Sequence, residues 1–280
     1  MIKLSSLIYR LRAGRRPPAV TAAAAGVLAA VAVWLLFPYP GFGAVGQAPF
    51  PASLQKAYAE LQAGLDAWDP VKLSQARDSF LAVLIERKEP AALLAISVGL
   101  ADMRLASYHL SRSASADAER FVSEGESYLD RAMKADPKSG EAAALYGFLL
   151  GLDLALHPDQ AMTLGLESFA ALSKGVSLEP ANPRVHLLNG QYLMYVPEAY
   201  GGGAAAAIVL LEKAAGLFEK ESSGDPLHPV WGKDQAYTYL GLAYAKTDPA
   251  KAKACFEKAL AVNPASGQAK SELAKLGKRP

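Results

Sequence analysis

The chain has 280 residues, of which 51% are apolar and 20% charged, so it can bury a sizeable core and is not a disordered chain. Lysine and arginine number 29, against 27 aspartate and glutamate residues. A net charge of +2 provides no basic field for binding phosphate, so nucleic acid is not expected as a partner. The one cysteine, Cys255, cannot form an internal disulfide and does not indicate a redox compartment.

An apolar segment near the N-terminus predicts one transmembrane helix. Its 19 residues, Ala19–Phe37, carry no charge, and this length is enough to cross the hydrocarbon core of a bilayer. The basic residues that precede it are Lys3, Arg10, Arg12, Arg15 and Arg16. Because no lysine or arginine follows until Lys56, the positive-inside rule places the N-terminus in the cytoplasm. We therefore expect a single-pass protein of a bacterial inner membrane, with the rest of the chain in the periplasm.

The same segment fits two other interpretations. A cleavable signal peptide has the same polarity, and small residues at 44–48 would permit cleavage, but its apolar and basic regions are usually shorter. A buried core helix is also compatible with the apolar run, but it gives no role to the arginine-rich flank. The predicted domains are a cytoplasmic basic segment (1–18), the transmembrane helix (19–37), a linker rich in proline and glycine (38–52) and a helical domain (53–280).

The remainder of the chain has the pattern of helices. From Ser53 onward, apolar residues recur at spacings of three and four, and proline and glycine separate the segments. One segment, Gln235–Pro264, carries a complete hairpin pattern. Its residues are Tyr237, Leu240, Gly241 and Tyr244 in the first helix, Ala252, Phe256 and Ala259 in the second, and the terminal Pro264. This segment resembles a tetratricopeptide (TPR) repeat, in which glycine and alanine sit where two antiparallel helices approach most closely.

Similar patterns predict further hairpins, because a single hairpin cannot bury its apolar face alone. The first-helix glycines that anchor the repeats are Gly64, Gly99, Gly147, Gly190 and Gly241. They lie 35 to 51 residues apart, whereas the usual repeat has about 34, so the array carries insertions. The resemblance implies an all-α fold, a TPR-like superhelix of about five helical hairpins with insertions, preceded by one transmembrane helix. A generic helical bundle is the alternative.

The sequence shows no pattern typical of catalysis or metal binding. The four histidines lack metal-ligand spacing, and the serines beside glycine lie in helical segments rather than in a nucleophile turn. We therefore expect no catalytic residues, no cofactor site, no metal site and no enzymatic activity.

A glycine turn carries a second, narrower resemblance. Gly201–Gly203 follow Pro197 without the strand and the Lys-Ser/Thr pair of a phosphate loop, so they predict a tight turn. Together with Trp231–Asp234, this segment resembles an insertion of exported bacterial TPR proteins, including some similar to the T-component of TRAP solute transporters. The resemblance covers about residues 182–240 and implies an accessory, ligand-handling subunit.

The TPR resemblance also implies where a partner would bind. In such a superhelix the first helices line a concave face, and the positions after each anchor glycine point into it. The residues at these positions are Leu65, Trp68, Leu100, Met103, Arg104, Phe148, Leu152, Gln191, Met194, Tyr195, Leu242 and Lys246. Their mostly apolar character suits a hydrophobic or amphipathic protein segment. The alternative is that insertions close the groove and these side chains fill the core.

We therefore expect a membrane-anchored periplasmic protein that mediates protein–protein interaction, as a scaffold or assembly factor of an envelope complex. The alternative is an accessory subunit of a solute transport system that handles a small hydrophobic ligand. The expected partners are envelope proteins and, through the N-terminal helix, the membrane.

Overall fold

A computed structural model of the protein describes residues 52–86, 92–222 and 231–277. Over these ranges the chain contains eleven α-helices and no β-strand. The predicted basic segment, the transmembrane helix at 19–37 and the linker as far as residue 51 lie outside the described residues. None of the described helices is both long enough and apolar enough to span a bilayer.

Ten of the described helices pair as five hairpins, and one further helix follows the last hairpin. The first two hairpins are α1 (Ala52–Ala67) with α2 (Pro70–Glu86) and α3 (Ala92–Ser111) with α4 (Ser115–Ala135). The next three are α5 (Gly140–Leu156) with α6 (Ala161–Leu178), α7 (Pro183–Leu193) with α8 (Ala204–Phe218), and α9 (Lys233–Tyr244) with α10 (Pro249–Val262). The last helix is α11 (Gly267–Leu276). The fold is thus an all-α, TPR-like array of repeated hairpins.

Short polar side chains set the starts of several helices. Ser139 accepts a hydrogen bond from the backbone N–H of Ala142 at 3.1 Å, which satisfies a donor at the start of α5. Asp248 does the same for Lys251 at the start of α10. The residue after that cap, Pro249, occupies the first helical position, where a missing N–H costs nothing. Local sequence therefore fixes these helix ends.

Each anchor glycine lies where the first helix of a hairpin touches the second. A Cβ atom on Gly99 would lie 2.5 Å from Leu129 Cγ, and one on Gly241 would lie 2.6 Å from Phe256 Cε1. A Cβ atom would lie 2.8 Å from the nearest atom of the second helix at Gly64, Gly147 and Gly190. Side-chain carbons do not approach this closely, so the helices can meet only at glycine.

The extra residues of the longer repeats are accommodated by longer helices and by short turns. Helices α3 and α4 have 20 and 21 residues. A 3-10 turn at Pro158–Gln160 precedes α6, and another at Glu198–Tyr200 leads into the glycine turn. In that turn Gly201 and Gly203 have φ angles of 83° and 90°, in the region that favours glycine.

The core is a continuous apolar cluster to which helices from α1 to α10 contribute. A network of charged side chains that includes the buried Arg77 and Asp102 packs against this cluster: Arg77 on α2 contacts both Asp102 on α3 and Glu124 on α4. Asp102 is fully buried. Desolvation raises the pKa of Asp102 to about 7, against the opposing effect of the Arg77 charge. This group links the first two hairpins.

Candidate binding face

The first helices of the hairpins, α1, α3, α5, α7 and α9, are called the inner layer below. Within it α3 contacts α5, α5 contacts α7, and α7 contacts α9. Five of the predicted binding residues on this layer are buried: the polar Arg104 and Gln191, and the apolar Leu65, Leu100 and Met103. The three apolar side chains belong to the core, as the alternative interpretation of the concave face expects, and are not available at the surface.

The other apolar positions are more accessible. Those that are half-buried are Phe148, Leu152, Met194 and Leu242. Tyr195 is 75% exposed and forms a hydrogen bond with Tyr239 on α9, while Lys246 is also exposed. Binding of a partner at these positions remains a prediction.

A tryptophan from the segment before α9 fills the middle of the inner layer. Trp231 is only 3% exposed. Its indole N–H donates a hydrogen bond to Oε1 of Glu141 on α5 at 3.2 Å. The guanidinium carbon of Arg184 on α7 lies 5.7 Å from its ring centroid. Trp231 therefore occupies space between the first helices that an open groove would leave to a partner.

Gly232 makes this insertion possible. Its φ angle is 101°, and a Cβ atom would lie 2.9 Å from both Leu187 Cδ2 and Phe218 Cζ. The backbone can turn and pass close to α7 and α8 only because this residue has no side chain.

Arg104 on α3 lies beside the same tryptophan. Its guanidinium carbon is 5.9 Å from the ring centroids of both Trp231 and Trp68. The residue is 8% exposed, yet its Nε and Nη2 atoms have no hydrogen-bond partner. Burial lowers the pKa of the guanidinium and the charge of Asp234 opposes that effect, but an arginine remains protonated at neutral pH. The inner layer thus holds a buried cation between two tryptophans.

A contact between the last hairpin and the first closes one side of the array. Asn263, just after α10, donates hydrogen bonds from Nδ2 to the backbone oxygen of Asp66 and to Oδ2 of Asp234, each at 3.0 Å. Asp66 precedes Asn263 by 197 residues, so the curvature of the array brings its two ends together. Trp68 follows Asp66 by two residues, and this closure fixes the chain beside it.

A cavity of about 110 Å³ remains near the N-terminal ends of α3 and α5. One wall of the cavity is apolar and is formed by Leu93, Ile96 and Leu100. The other wall is polar and includes Glu141, Glu179 and Asn182. The Asn182 amide donates to Glu141 at 3.2 Å and to Glu179 at 2.6 Å. A space of this size holds a few water molecules or one side chain, and not a whole ligand or peptide.

The chemistry that the inner layer offers is recognition by stacking and by charge. Indole rings bind flat apolar groups, and a guanidinium pairs with carboxylates. Three side-chain amide atoms of the inner layer also lack partners: Oδ1 of Asn189, Nε2 of Gln191 and Oε1 of Gln235. Buried polar atoms of this kind usually face water or a ligand. The part of the chain that the structure describes contains no group of His, Cys, Asp and Glu residues that could hold a metal ion.

Sequence reasoning placed Trp68, Arg104 and Gln191 on the inner layer but missed Trp231 and Asn263. The available signal for Trp231 was a tryptophan followed by glycine in an extension between two repeats. Asn263 precedes the proline that ends the last repeat, so its local pattern predicts a turn. Its contact with Asp66 depends on the shape of the whole array and has no local signal.

No protein-family model matches the chain, and no curated protein matches its sequence. Among solved structures, the HusA haemophore from Porphyromonas gingivalis is similar, with a TM-score of 0.60 and 25% identity. The similarity covers 72% of this chain and 97% of the HusA chain. PilF from Pseudomonas aeruginosa gives a TM-score of 0.40 at 23% identity, covering 64% of this chain and 67% of PilF, which is too low to establish a shared fold.

Proposed function

We propose that the helical array is a ligand-binding protein whose ligand is a flat apolar molecule bearing carboxylates, of the haem type. The observation that carries this proposal is the similarity to HusA, a haemophore, over 97% of the HusA chain at 25% identity. The similarity extends across the array and is not restricted to one hairpin. The inner layer supplies compatible chemistry, since Trp68 can stack against a macrocycle and Arg104 can pair with a carboxylate.

The geometry of the inner layer favours a small ligand over a protein segment. Trp231 fills its middle, and the contact of Asn263 with Asp66 closes one side. A helix or an extended peptide needs a continuous groove for its side chains. A planar ligand needs only one accessible flat surface, and Trp68 is 41% exposed.

Titration of the purified full chain with haemin in mild detergent tests this proposal. We expect saturable binding with a Kd of about 1 μM or below, measured from the shift of the haem absorption band. Trp68→Ala should weaken binding by about tenfold because it removes a stacking surface. As a control, Tyr200→Ala removes a ring that is 79% exposed on the glycine turn and should leave the affinity unchanged. Absence of saturable haemin binding by the wild type would refute the proposal.

We propose further that the array works in the periplasm, held at a bacterial inner membrane by an uncleaved helix at Ala19–Phe37. The support is the uncharged apolar run and its basic N-terminal flank. This location suits an accessory, ligand-handling subunit of a transport system, as the TRAP-like segment also implies. Protease added to spheroplasts should degrade the array while the N-terminal residues stay protected. Recovery of only a soluble form that starts near residues 45–49 would contradict the anchor.

A second candidate function is binding of an envelope protein through the outer surface of α6. Met162, Leu166 and Phe169 are 76%, 67% and 54% exposed, and their spacing of four and three residues places them on one face. Such a stripe suits an amphipathic helix of a partner, and the chain would then act as a scaffold or assembly factor. Neither candidate involves a reaction, and we propose no enzymatic activity.

Co-purification from solubilised membranes tests the second candidate. Phe169→Asp should abolish recovery of a stoichiometric partner because it places a charge within the stripe. Val209→Asp changes a residue that is 67% exposed on α8 and should leave recovery unchanged. Equal recovery with both variants, or no partner with the wild type, would exclude this function for α6.

A further inference from the structure

Among the described residues, the buried arginines differ in whether an acidic side chain pairs with the guanidinium. Arg77 pairs with Asp102, and Arg184 pairs with Glu221. Arg104 is as well buried, with 8% exposure, but its Nε and Nη2 atoms have no hydrogen-bond partner. Folding has removed this guanidinium from water without supplying an anion. A charge in that position is strongly attracted to any carboxylate that can reach it.

Asp234, the acid whose charge acts on Arg104, does not fill this role. The charge of Asp234 acts on Arg104, but no hydrogen bond joins the two side chains. Oδ2 of Asp234 instead accepts a hydrogen bond from Asn263 at 3.0 Å. Asp234 therefore reduces the cost of burying Arg104 from a distance and leaves its N–H groups available.

The positions of the two Arg104 nitrogen atoms without a hydrogen-bond partner indicate which kind of anion would pair with them. Nε and Nη2 lie on one edge of the guanidinium, and their N–H bonds run parallel. This edge matches the two oxygens of a carboxylate and gives a bidentate pair, the strongest common hydrogen-bonded ion pair in proteins. A single-point acceptor such as an alcohol or a ketone would satisfy only one of the two donors.

The two tryptophans beside Arg104 differ in accessibility. Trp231 is a fixed inner wall, since it is 3% exposed and hydrogen-bonded to Glu141. Trp68 is 41% exposed and stands at the short connection between α1 and α2, with a φ angle of 53° that is uncommon for a bulky residue. Trp68 is thus the solvent-facing one of the two rings that lie 5.9 Å from the Arg104 guanidinium carbon.

We infer that Arg104 is the anchor for a carboxylate of the ligand, which inserts between Trp68 and Trp231 while the apolar body of the ligand stacks against Trp68. The inference rests on the proposed function and specifies the group by which the ligand is recognised. It also explains why a buried arginine stands on the inner layer without a partner of its own.

Paired porphyrins test this inference on the full chain in mild detergent. Protoporphyrin IX carries two free carboxylates, and its dimethyl ester has the same ring with both carboxylates blocked. We expect the wild type to bind the free acid at least about tenfold more tightly than the ester, measured by quenching of tryptophan fluorescence. Arg104→Leu should bind both compounds equally, with the affinity that the wild type has for the ester.

A control variant and a conservative variant separate recognition from folding. Arg131→Leu removes an exposed arginine that stacks on Tyr128, with its guanidinium carbon 5.3 Å from the ring centroid, and should keep the wild-type preference. Arg104→Lys keeps the charge but not the two parallel donors, and should show a reduced preference. If circular dichroism shows that Arg104→Leu does not fold, the lysine variant decides the question.

The outcomes that would overturn the inference differ from those that overturn the proposed function. If the wild type binds protoporphyrin IX and its dimethyl ester equally tightly, Arg104 does not bind a carboxylate, but the proposed class of ligand is still supported. A preference for the acid that persists in the folded leucine variant, or is undiminished in the lysine variant, would place the carboxylate elsewhere. Failure of the wild type to bind either porphyrin would reject the ligand class, and the inference with it.

Discussion

Glu126 on α4 is a carboxylate whose surroundings oppose its charge. Burial, followed by the negative charges of Asp153 on α5 and Glu167 on α6, raises its pKa from 4.5 to about 7. Its Oε1 atom has no hydrogen-bond partner. Asp153 also interacts with His157, whose Nδ1 lies 2.9 Å from the Asp153 Oδ1.

The raised pKa of Glu126 predicts that stability falls as the pH rises toward neutrality. A group with a higher pKa in the folded state gains a proton on folding, and its contribution is complete below pH 4.5 and lost as the pH rises through about 7. Glu126→Gln removes this loss and should raise the free energy of unfolding at pH 8 by about 1–2 kcal/mol, allowing for solvent screening. At pH 4.5 the two proteins should be nearly equal.

Urea denaturation at the two pH values, followed by circular dichroism, measures this difference. Glu257→Gln changes an exposed carboxylate on α10 and serves as the matched control, with little effect at either pH. A Glu126→Gln protein that gains no more at pH 8 than at pH 4.5 would show that the carboxylate is solvated in the folded protein.

At the scale of residues, sequence reasoning could predict the side of the helix on which Arg104 lies but not its surroundings. The position after the anchor glycine fixes the direction of the side chain. Its neighbours, however, include Trp68 on one helical hairpin and Trp231 in an extension between two others. Contacts between distant segments are not encoded in the helical period of either segment.

The helical hairpins depend on glycine where two helices touch, and α5 shows this most clearly. A Cβ atom on Gly147 would lie 2.8 Å from the backbone nitrogen of Leu172 and 2.9 Å from the carbonyl oxygen of Ser168, both on α6. Backbone atoms cannot rotate away, so the two helices would have to separate. Gly216 on α8 is also within a helix, but nothing lies within 4 Å of the corresponding position.

These two glycines predict opposite effects for the same substitution. Gly147→Ala should lower the free energy of unfolding by about 2–3 kcal/mol because it overpacks the α5–α6 contact. Gly216→Ala should raise it by about 0.5–1 kcal/mol because alanine favours the helix and nothing opposes the methyl group. Thermal and urea unfolding of both variants measure the effects. A stable Gly147→Ala protein would contradict the observed approach of α5 and α6.

At the scale of elements, the sequence allowed more of the fold to be predicted than of the binding face. The spacing of small and large residues within a hairpin is a local feature of the sequence. From it, all five anchor glycines were predicted to lie where the two helices of a hairpin touch, and each of them does. The insertions were less predictable, because a longer helix and an added loop have similar composition. The second repeat extends its helices, whereas the fourth adds a 3-10 turn at Glu198–Tyr200 and a glycine turn.

The array as a whole is closed by the contact between its first and last hairpins. Small rotations between successive hairpins add up along such an array, so the meeting of its ends is a property of five hairpins together. Asn263 makes this contact, and its Oδ1 also accepts a hydrogen bond from the N–H of Ala265 at 3.0 Å. One residue thus serves a local turn with its oxygen and a long-range contact with its nitrogen.

Asn263→Asp tests the closure while leaving the local turn intact. The substitution keeps the oxygen that serves Ala265 but replaces the donor of two hydrogen bonds with an acceptor that faces Asp66 O and Asp234 Oδ2. At pH 7 we expect a loss of about 2–3 kcal/mol in the free energy of unfolding, from two lost hydrogen bonds and repulsion between carboxylates. Asn263→Ala, which adds no charge, should lose about 1–2 kcal/mol.

The pH dependence of the free energy of unfolding distinguishes loss of the contact between the ends of the array from a general loss of stability. Repulsion raises the pKa of the new carboxylate in the folded state, so the aspartate variant gains a proton on folding and recovers stability as the pH falls toward 4. The alanine variant has no such group, and its deficit should change little with pH. Urea unfolding of the full chain at pH 7 and pH 4.5, in mild detergent, compares the two. If Asn263→Asp matches the wild type at pH 7, the ends of the array are apart in solution, and Trp68 is not held over Arg104.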